Sequence, residues 1–543
     1  VAKADMEASN IGVVASLFTG LFWIATRIIR KTWFDARLRA VMPINGKVRP
    51  GRRTLLVGAG HAGALVAQEM VSHPELGYDI VGFLDDSPET LGASVNGFRV
   101  LGRCSEIGTV AAKHRITHAV LAMPTAPGAI IRKIVNECHQ LQVEVKTVPG
   151  LFDLLGAREW KPDIQAIRIE DLLRREPIHL DQEAMSAVVN GRVVLITGAG
   201  GSIGSELARQ LAILRPRHMV LLGRGENSLW QIQRNMQALF PAQSLSLELV
   251  DIRNRSALRE VFERYRPEIV LHTAAHKHVP FLELYPREAV DNNIFGTFNV
   301  MEAARDFGAR HVVNISTDKA VNPTNVLGAS KRVAECIVLN MARKADRATR
   351  FVTVRFGNVL GSRGSVVPIF REQIEQGGPV TVTHEAMTRY FMTIPEASQL
   401  VLQAALFGET GKIYVLNMGE PVRILDLAAD MVKLSGLTPE KDIKIEIVGL
   451  RPGEKLHEEL FMDEERSSSH IHPKLLEANP RPIPQDVLDR YLESFNRATG
   501  LPYEERQPEI VRLFQELVPT YKPSLLGVGK YGGHVKDRRH QDA

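Results

Sequence analysis

The stretch STDKAVNPTNVLGASK at 316–331 sets a hydroxyl, a carboxyl and an amine in consecutive positions, Thr317, Asp318 and Lys319. They follow the apolar run HVVNIS and so fall at a strand end, where an α/β sheet presents its chemistry. Proton donors and acceptors side by side suit general acid–base catalysis. Lys331 closes the stretch, and the apolar Leu327 stands one helical turn before it.

Such groups need a framework, and two glycine loops supply its outline. TLLVGAGHAGALVAQEM carries Gly58-x-Gly60-x-x-Gly63 between an apolar strand and a helical pattern, a context that lets backbone amides approach a phosphate. YDIVGFLDD then ends at Asp85, near the ~20-residue spacing of a ribose-binding carboxylate. This segment shows no nucleophile, base pair or metal cluster, so a nucleotide-binding or regulatory domain is expected. VVLITGAGGSIGSELARQL repeats strand, loop and helix with the spacing Gly198-x-x-Gly201-x-x-Gly204. The next strand, HMVLLGRGENSL, ends in Gly223 and Arg224 where an NAD-selective site would carry an acid. A guanidinium there could pair with a 2'-phosphate, which tilts the cofactor toward NADP, while Glu226 keeps NAD open. Asp251, closing LSLELVD, is placed to meet an adenine. Further strands in EIVLHTAAHKHVP and HVVNISTDKA complete an alternation that predicts a doubly wound parallel sheet.

At 543 residues the chain exceeds one hydrophobic core. With 44% hydrophobic and 24% charged residues it has the composition of a folded protein, and a net charge of +5, spread along the chain, argues against a nucleic-acid partner. Cys104, Cys138 and Cys336 fit no metal spacing and read as reduced, buried thiols of a cytosolic compartment; no metal site is expected. Residues 8–26 carry no charge and approach the ~20 apolar residues of a membrane span. Arg27, Arg30, Lys31, Arg37 and Arg39 follow, which predicts that everything downstream faces the cytoplasm. The alternative is a buried or interfacial helix. Val1 in place of an initiator Met suggests that segments precede it. The expected organisation is an anchor helix and basic linker (1–50), a small nucleotide-binding Rossmann-like domain (51–150), a connector (151–190), a catalytic domain (191–520) and a disordered tail (521–543).

The motifs TGAGGSIG, HTAAHKHVP, STDKAVNPTNVLGASKR, RFGNVLGSRGSVVPIF, MTRYFMTIPEA and GLRPGEKLHEEL together resemble the bacterial nucleoside-diphosphate-sugar 4,6-dehydratases of surface polysaccharide synthesis, and within them the membrane-anchored form. The resemblance implies two tandem Rossmann-like domains, the second an extended short-chain dehydrogenase with a smaller C-terminal substrate-binding part. It implies conversion of UDP-N-acetylglucosamine or a related UDP-sugar to its 4-keto-6-deoxy derivative with a recycled NADP or NAD, at the bacterial inner membrane, by a homo-oligomer. The cofactor would lie on Gly198, Gly201, Ser202, Ile203, Gly204, Arg224, Asp251, Ile252, Ala274, Ala275 and Lys331. Substrate would meet Lys277, His278, Asn358, Ser362, Arg363, Arg389 and Arg451, with Asn358 and Arg451 suited to pyrophosphate. Asp318 would protonate the departing C6 hydroxyl and Lys319 would take the C5 proton, which asks for a protonated acid and a neutral amine, each shifted in the direction burial favours.

Short-chain dehydrogenases usually carry a tyrosine where Leu327 stands, and the membrane-anchored members commonly replace it by an apolar residue, often methionine. Thr317 is then expected to hydrogen-bond the C4 hydroxyl and pass its proton on through Asp318 or an ordered water, with Ser316 a weaker relay. The rival readings are a 4- or 5-epimerase on the same fold and a non-catalytic nucleotide or redox sensor.

Overall fold

Both glycine loops cap parallel sheets in the computed structural model, which describes residues 51–148, 164–173, 181–344, 349–480 and 483–523, with the side chains of 467–471 left aside. The expected anchor, most of the connector and the tail from 524 onward lie outside these residues. Among the described residues no helix is long and apolar enough to cross a membrane. The chain divides between Leu172 and Leu173 into two compact units.

The first unit is a seven-stranded sheet among the described residues. Its strands are β1 (Arg52–Val57), β2 (Tyr78–Leu84), β3 (Ser94–Val95), β4 (Phe98–Gly102), β5 (His118–Leu121), β6 (Glu144–Thr147) and β7 (Gln165–Ala166), in the order β3-β4-β2-β1-β5-β6-β7. The central strands pair in parallel, with α1 (His61–Ser72), α2 (Ile107–His114) and α3 (Gly128–Gln140) as crossovers. β3 and β7 add antiparallel edges.

The second unit is built on a nine-stranded sheet. Its strands are β8 (Val193–Thr197), β9 (His218–Gly223), β10 (Leu245–Leu249), β11 (Ile269–His272), β12 (His311–Thr317), β13 (Arg350–Phe356), β14 (Lys412–Leu416), β15 (Arg466–His472) and β16 (Leu475–Ala478), in the order β10-β9-β8-β11-β12-β13-β14-β16-β15. β10 to β14 run parallel and β15 and β16 close the edge antiparallel. Every residue of β8 is buried, as a strand covered on both faces requires. Val193 and Leu195 enter one core and Val194 and Ile196 the other. The first core packs against α5 (Val326–Lys344), α7 (Gln485–Thr499) and α8 (Tyr503–Leu517); the second packs against α4 (Ser202–Ile213) and α6 (Ile394–Phe407). This is the doubly wound α/β class the sequence predicts, twice in tandem.

One boundary differs from expectation. Tyr521, expected to open the disordered tail, is 3% exposed, joins the first core and meets Phe514 edge-on. Its ring closes that core, and the Lys522 amide donates to the Pro323 carbonyl, so order extends past the expected limit. The three cysteines are buried and unpaired.

Candidate active site

The glycine loop after β8 is shaped by close backbone approach. Gly198 has a φ of +69°, and a Cβ on it would lie 2.7 Å from the Ala274 amide nitrogen. A Cβ on Gly204 would lie 2.4 Å from the Gly198 carbonyl oxygen. Glycine at both positions lets α4 start against the strand tips, with Gly201 as its extended N-cap and Ser202 and Ile203 in its first turn. Two cavities flank the loop. One of about 260 Å³ is lined by Gly198, Gly201, Arg224, Asp251, Ile252 and Ala274 among others. The other, of about 550 Å³, takes in Gly201, Ser202, Ile203, Gly204, Ala275 and Lys331 and runs on to Thr317 and Lys319.

At the first cavity Arg224 approaches Asp251 at 3.9 Å and His276 at 3.3 Å. Burial pulls the Asp251 carboxyl upward, but hydrogen bonds and charge from Arg253, with the charge of Arg224, outweigh it and hold the group low. Lys331 is buried and lines the second cavity. Desolvation lowers it to about 8 against the opposing charge of Glu335. A glycine cradle at a helix start, the Asp251 carboxylate after β10 and a lysine within the cavity fit a dinucleotide.

Thr317 closes β12, and Asp318 and Lys319 follow it. Thr317 and Lys319 line the larger cavity together with Leu327, Lys277, His278, Ser362 and Arg363. Asp318 is fully buried behind them. Its Oδ1 accepts from the Thr317 hydroxyl at 2.9 Å and from Lys319 Nζ at 3.0 Å, and its Oδ2 has no hydrogen-bond partner among the described residues. Asp318 thus reaches the cavity through its two neighbours. Lys319 Nζ also donates to Asn358 Oδ1 at 3.2 Å and lies 3.6 Å from Glu458 Oε1. The expectation of a lysine made neutral by burial is not met. Desolvation does oppose its charge, but the carboxylates of Asp318 and Glu458 outweigh that and Arg389's repulsion, so the Lys319 pKa is raised.

Ser316 points its hydroxyl at Glu335 Oε1, 2.6 Å away, which commits it to a buried network rather than to a relay. In that network Arg355 bonds Glu335 at 2.8 and 3.0 Å and Glu465 at 2.9 Å, and Arg332 reaches both acids.

Lys277 places Nζ 3.4 Å from Ser362 Oγ, and burial lowers its pKa. His278 is lowered by burial and then by the Lys277 charge; Gly364 admits its ring, since a Cβ there would lie 2.7 Å from His278 Cε1. Arg363 donates at 3.3 Å to Gln231. Arg389 and Arg451 line a third cavity of about 220 Å³ that shares Lys319 and Asn358 with the larger one. Arg451 borders that space directly. Arg389 is buried, and its guanidinium donates to the Thr388, Lys455 and Leu456 carbonyls, so it holds the GEKLHEEL segment in place. Glu458, Glu335 and Arg355 are the residues the motif reading passed over. Glu458 lay inside a quoted motif, and nothing in its spacing tied it to Lys319.

In the first unit a Cβ on Gly63 would lie 1.9 Å from the Gly58 carbonyl oxygen, whereas one on Gly60, the N-cap of α1, would meet nothing within 4 Å. Asp85, expected to bind a ribose, accepts from the Ala59 amide at 2.6 Å, the Ser87 amide at 2.8 Å and the Thr90 hydroxyl at 2.8 Å. Burial pushes it up, those three bonds win, and its carboxylate is held low as a brace for its own glycine loop.

Comparison with known proteins agrees with this division. A family described as CoA-binding domain matches residues 13–149, and one described as polysaccharide biosynthesis protein matches 194–480. The probable polysaccharide biosynthesis protein EpsC of Bacillus subtilis is 44% identical over 83% of this chain and 76% of its own length. The capsular polysaccharide biosynthesis protein CapD of Staphylococcus aureus is 41% identical over 84% of this chain and 73% of its own. The X-ray structure of Pen from Bacillus thuringiensis matches 55% of this chain and 91% of its own with 34% identity and a TM-score of 0.50. With its motifs, its doubly wound second unit and this extent of identity, the chain belongs to the polysaccharide biosynthesis protein family.

Proposed function

We propose that the second unit is a nucleotide-sugar 4,6-dehydratase acting on UDP-N-acetylglucosamine or a related UDP-sugar with NADP or NAD, in a homo-oligomer whose two domains face the cytoplasm at the bacterial inner membrane. The observation that carries the reading is the hydrogen-bonded series Thr317, Asp318 and Lys319 opening on the cavity that also holds the glycine loop and Lys331. Arg224 beside the smaller cavity favours NADP, through a 2'-phosphate.

The chemistry a nicotinamide supplies here is to accept hydride from C4 and return it to C6. The rest falls to side chains. Thr317 takes the C4 hydroxyl proton and passes its own to Asp318, to which its hydroxyl already points. Asp318 therefore needs no stored proton before substrate arrives. The C4 ketone acidifies the C5 hydrogen, and Lys319, as a free amine, removes it. The proton held on Asp318 returns through Thr317 to the C6 oxygen, the C6–O bond breaks and water leaves. Leu327 contributes an apolar wall where a phenol would otherwise stand; the Thr317–Asp318 pair does the phenol's work.

Incubating the protein with UDP-N-acetylglucosamine and weighing the product tests the reading. Loss of one water supports it. Conserved mass with inverted stereochemistry would indicate an epimerase, and unchanged substrate a sensor.

A further inference from the structure

We propose that Glu458 accepts the proton Lys319 must shed before it can act as a base at C5, an inference that rests on the dehydration reading above. Glu458 is 7% exposed at the edge of the third cavity, and its Oε1 lies within ion-pair reach of Lys319 Nζ at 3.6 Å. Oε2 has no hydrogen-bond partner among the described residues. The nearest guanidinium, Arg389, comes only to 3.9 Å, its NH1 and NH2 groups being spent on backbone carbonyls. A carboxylate so poorly solvated is costly to keep ionised. Burial raises its pKa; the charge of Asp318 adds to this, those of Lys319, Arg389 and Lys455 oppose it, and the net direction is upward.

The other neighbours of the ammonium cannot take that proton. The Asn358 amide oxygen is no base. Asp318 is occupied by the proton from the C4 hydroxyl at the moment a base is needed, and once neutral it no longer holds Lys319 charged. The balance then closes. Lys319 passes one N–H proton to Glu458 and the amine takes the C5 proton. Asp318 returns its proton to the leaving oxygen, C5=C6 forms as C6–O breaks, and water departs. When C5 is reprotonated from Lys319, Glu458 gives its proton back to the amine. Glu458 acts through Lys319 and is a positioning residue.

The test uses the full chain carrying D318N with the 4-keto-6-deoxy product, the UDP-4-keto-6-deoxy-N-acetylhexosamine, in heavy water, because on the product no C4 hydroxyl proton fills Asp318 and its carboxylate could itself relieve Lys319. Exchange of the C5 hydrogen for deuterium, followed by NMR, needs the Lys319 amine but neither water loss nor hydride transfer. Adding E458Q is expected to slow exchange on the order of 10²-fold, the usual contribution of a positioned proton acceptor, with sugar-nucleotide binding and melting temperature retained. Adding E458D instead, which keeps a carboxylate, should recover part of the rate. Exchange in D318N should fall on the acid side as Glu458 fills with protons, with Lys319, Arg389 and Lys455 as the charged groups facing it; with E458Q added the rate should instead rise only toward alkaline pH. The D318N rate and profile persisting in the D318N/E458Q variant would overturn the proposal and leave dehydration standing. If the double variant does not fold, the D318N acid limb decides, and its absence overturns the proposal. A wild-type enzyme that releases no water defeats the dehydration reading itself.

Discussion

Replacing Arg355 by Met should cost the protein about 3–5 kcal/mol, the range for removing one partner from a buried ion pair. Arg355 is fully buried between Glu335 and Glu465. The acidity of Glu335 points the same way, with Arg355 its largest stabilising neighbour. Burial alone would raise Glu335, yet Arg355, then Arg332 and the Ser316 hydroxyl, take it from 4.5 to about 2. At ~1.4 kcal/mol for each factor of ten in acidity, that is about 3 kcal/mol. Because the folded value is depressed, this stabilisation is complete above the ordinary carboxylate range and is lost as pH falls toward about 2. The gap between wild type and R355M should therefore narrow in acid. Chemical denaturation of the full chain, followed by circular dichroism, measures it at neutral pH and in acid. In R355M two acids share Arg332 alone, so adding E335Q removes the surplus negative charge. The double variant should be less destabilised than the sum of the single ones by about 1–3 kcal/mol. A loss under about 1 kcal/mol for R355M, or additivity within ~0.5 kcal/mol, would refute the account. Turnover should fall too, since Arg355 pairs in register with Ser316 on the strand that carries Thr317.

Three further outcomes follow from the site. D318N, which cannot take a proton from Thr317, should lower turnover about 10²–10⁴-fold with sugar-nucleotide binding intact, read as water loss by mass; full activity would reject the scheme. Lys331, lowered to about 8, is cationic below that pH and neutral above it, so dinucleotide affinity measured by calorimetry should drop as pH rises through about 8, and K331R should abolish the inflection. G204A would set a methyl 2.4 Å from the Gly198 carbonyl, so it should lower the melting temperature by the equivalent of about 1–3 kcal/mol and weaken dinucleotide binding, whereas G60A in the first unit, with open space around it, should leave stability unchanged.

Much of this protein was open to a reader of its sequence because the signals are local. A glycine loop between a strand and a helix is spelled in about twenty consecutive residues. The continuous apolar run VVLIT declares a strand covered on both faces. Thr317, Asp318 and Lys319 are chain neighbours, so their meeting required no fold. The C-terminal limit of the core is not local in this way: Tyr521 stands in a Gly-rich, basic context, and only its packing on Phe514 makes it part of the core.

The fold alone decided how those groups are charged. Arg355 meets Glu465 across 110 positions of chain, and Glu458 comes to Lys319 from a separate segment held by Arg389, so no spacing rule could pair them. Side-chain charge depends on the sum of desolvation and every nearby ion, a sum over space rather than along the chain. That is why the family resemblance implies a neutral lysine, while the packed structure sets Lys319 between Asp318 and Glu458, which raise its pKa, and opens Asp318 to the cavity only through its neighbours.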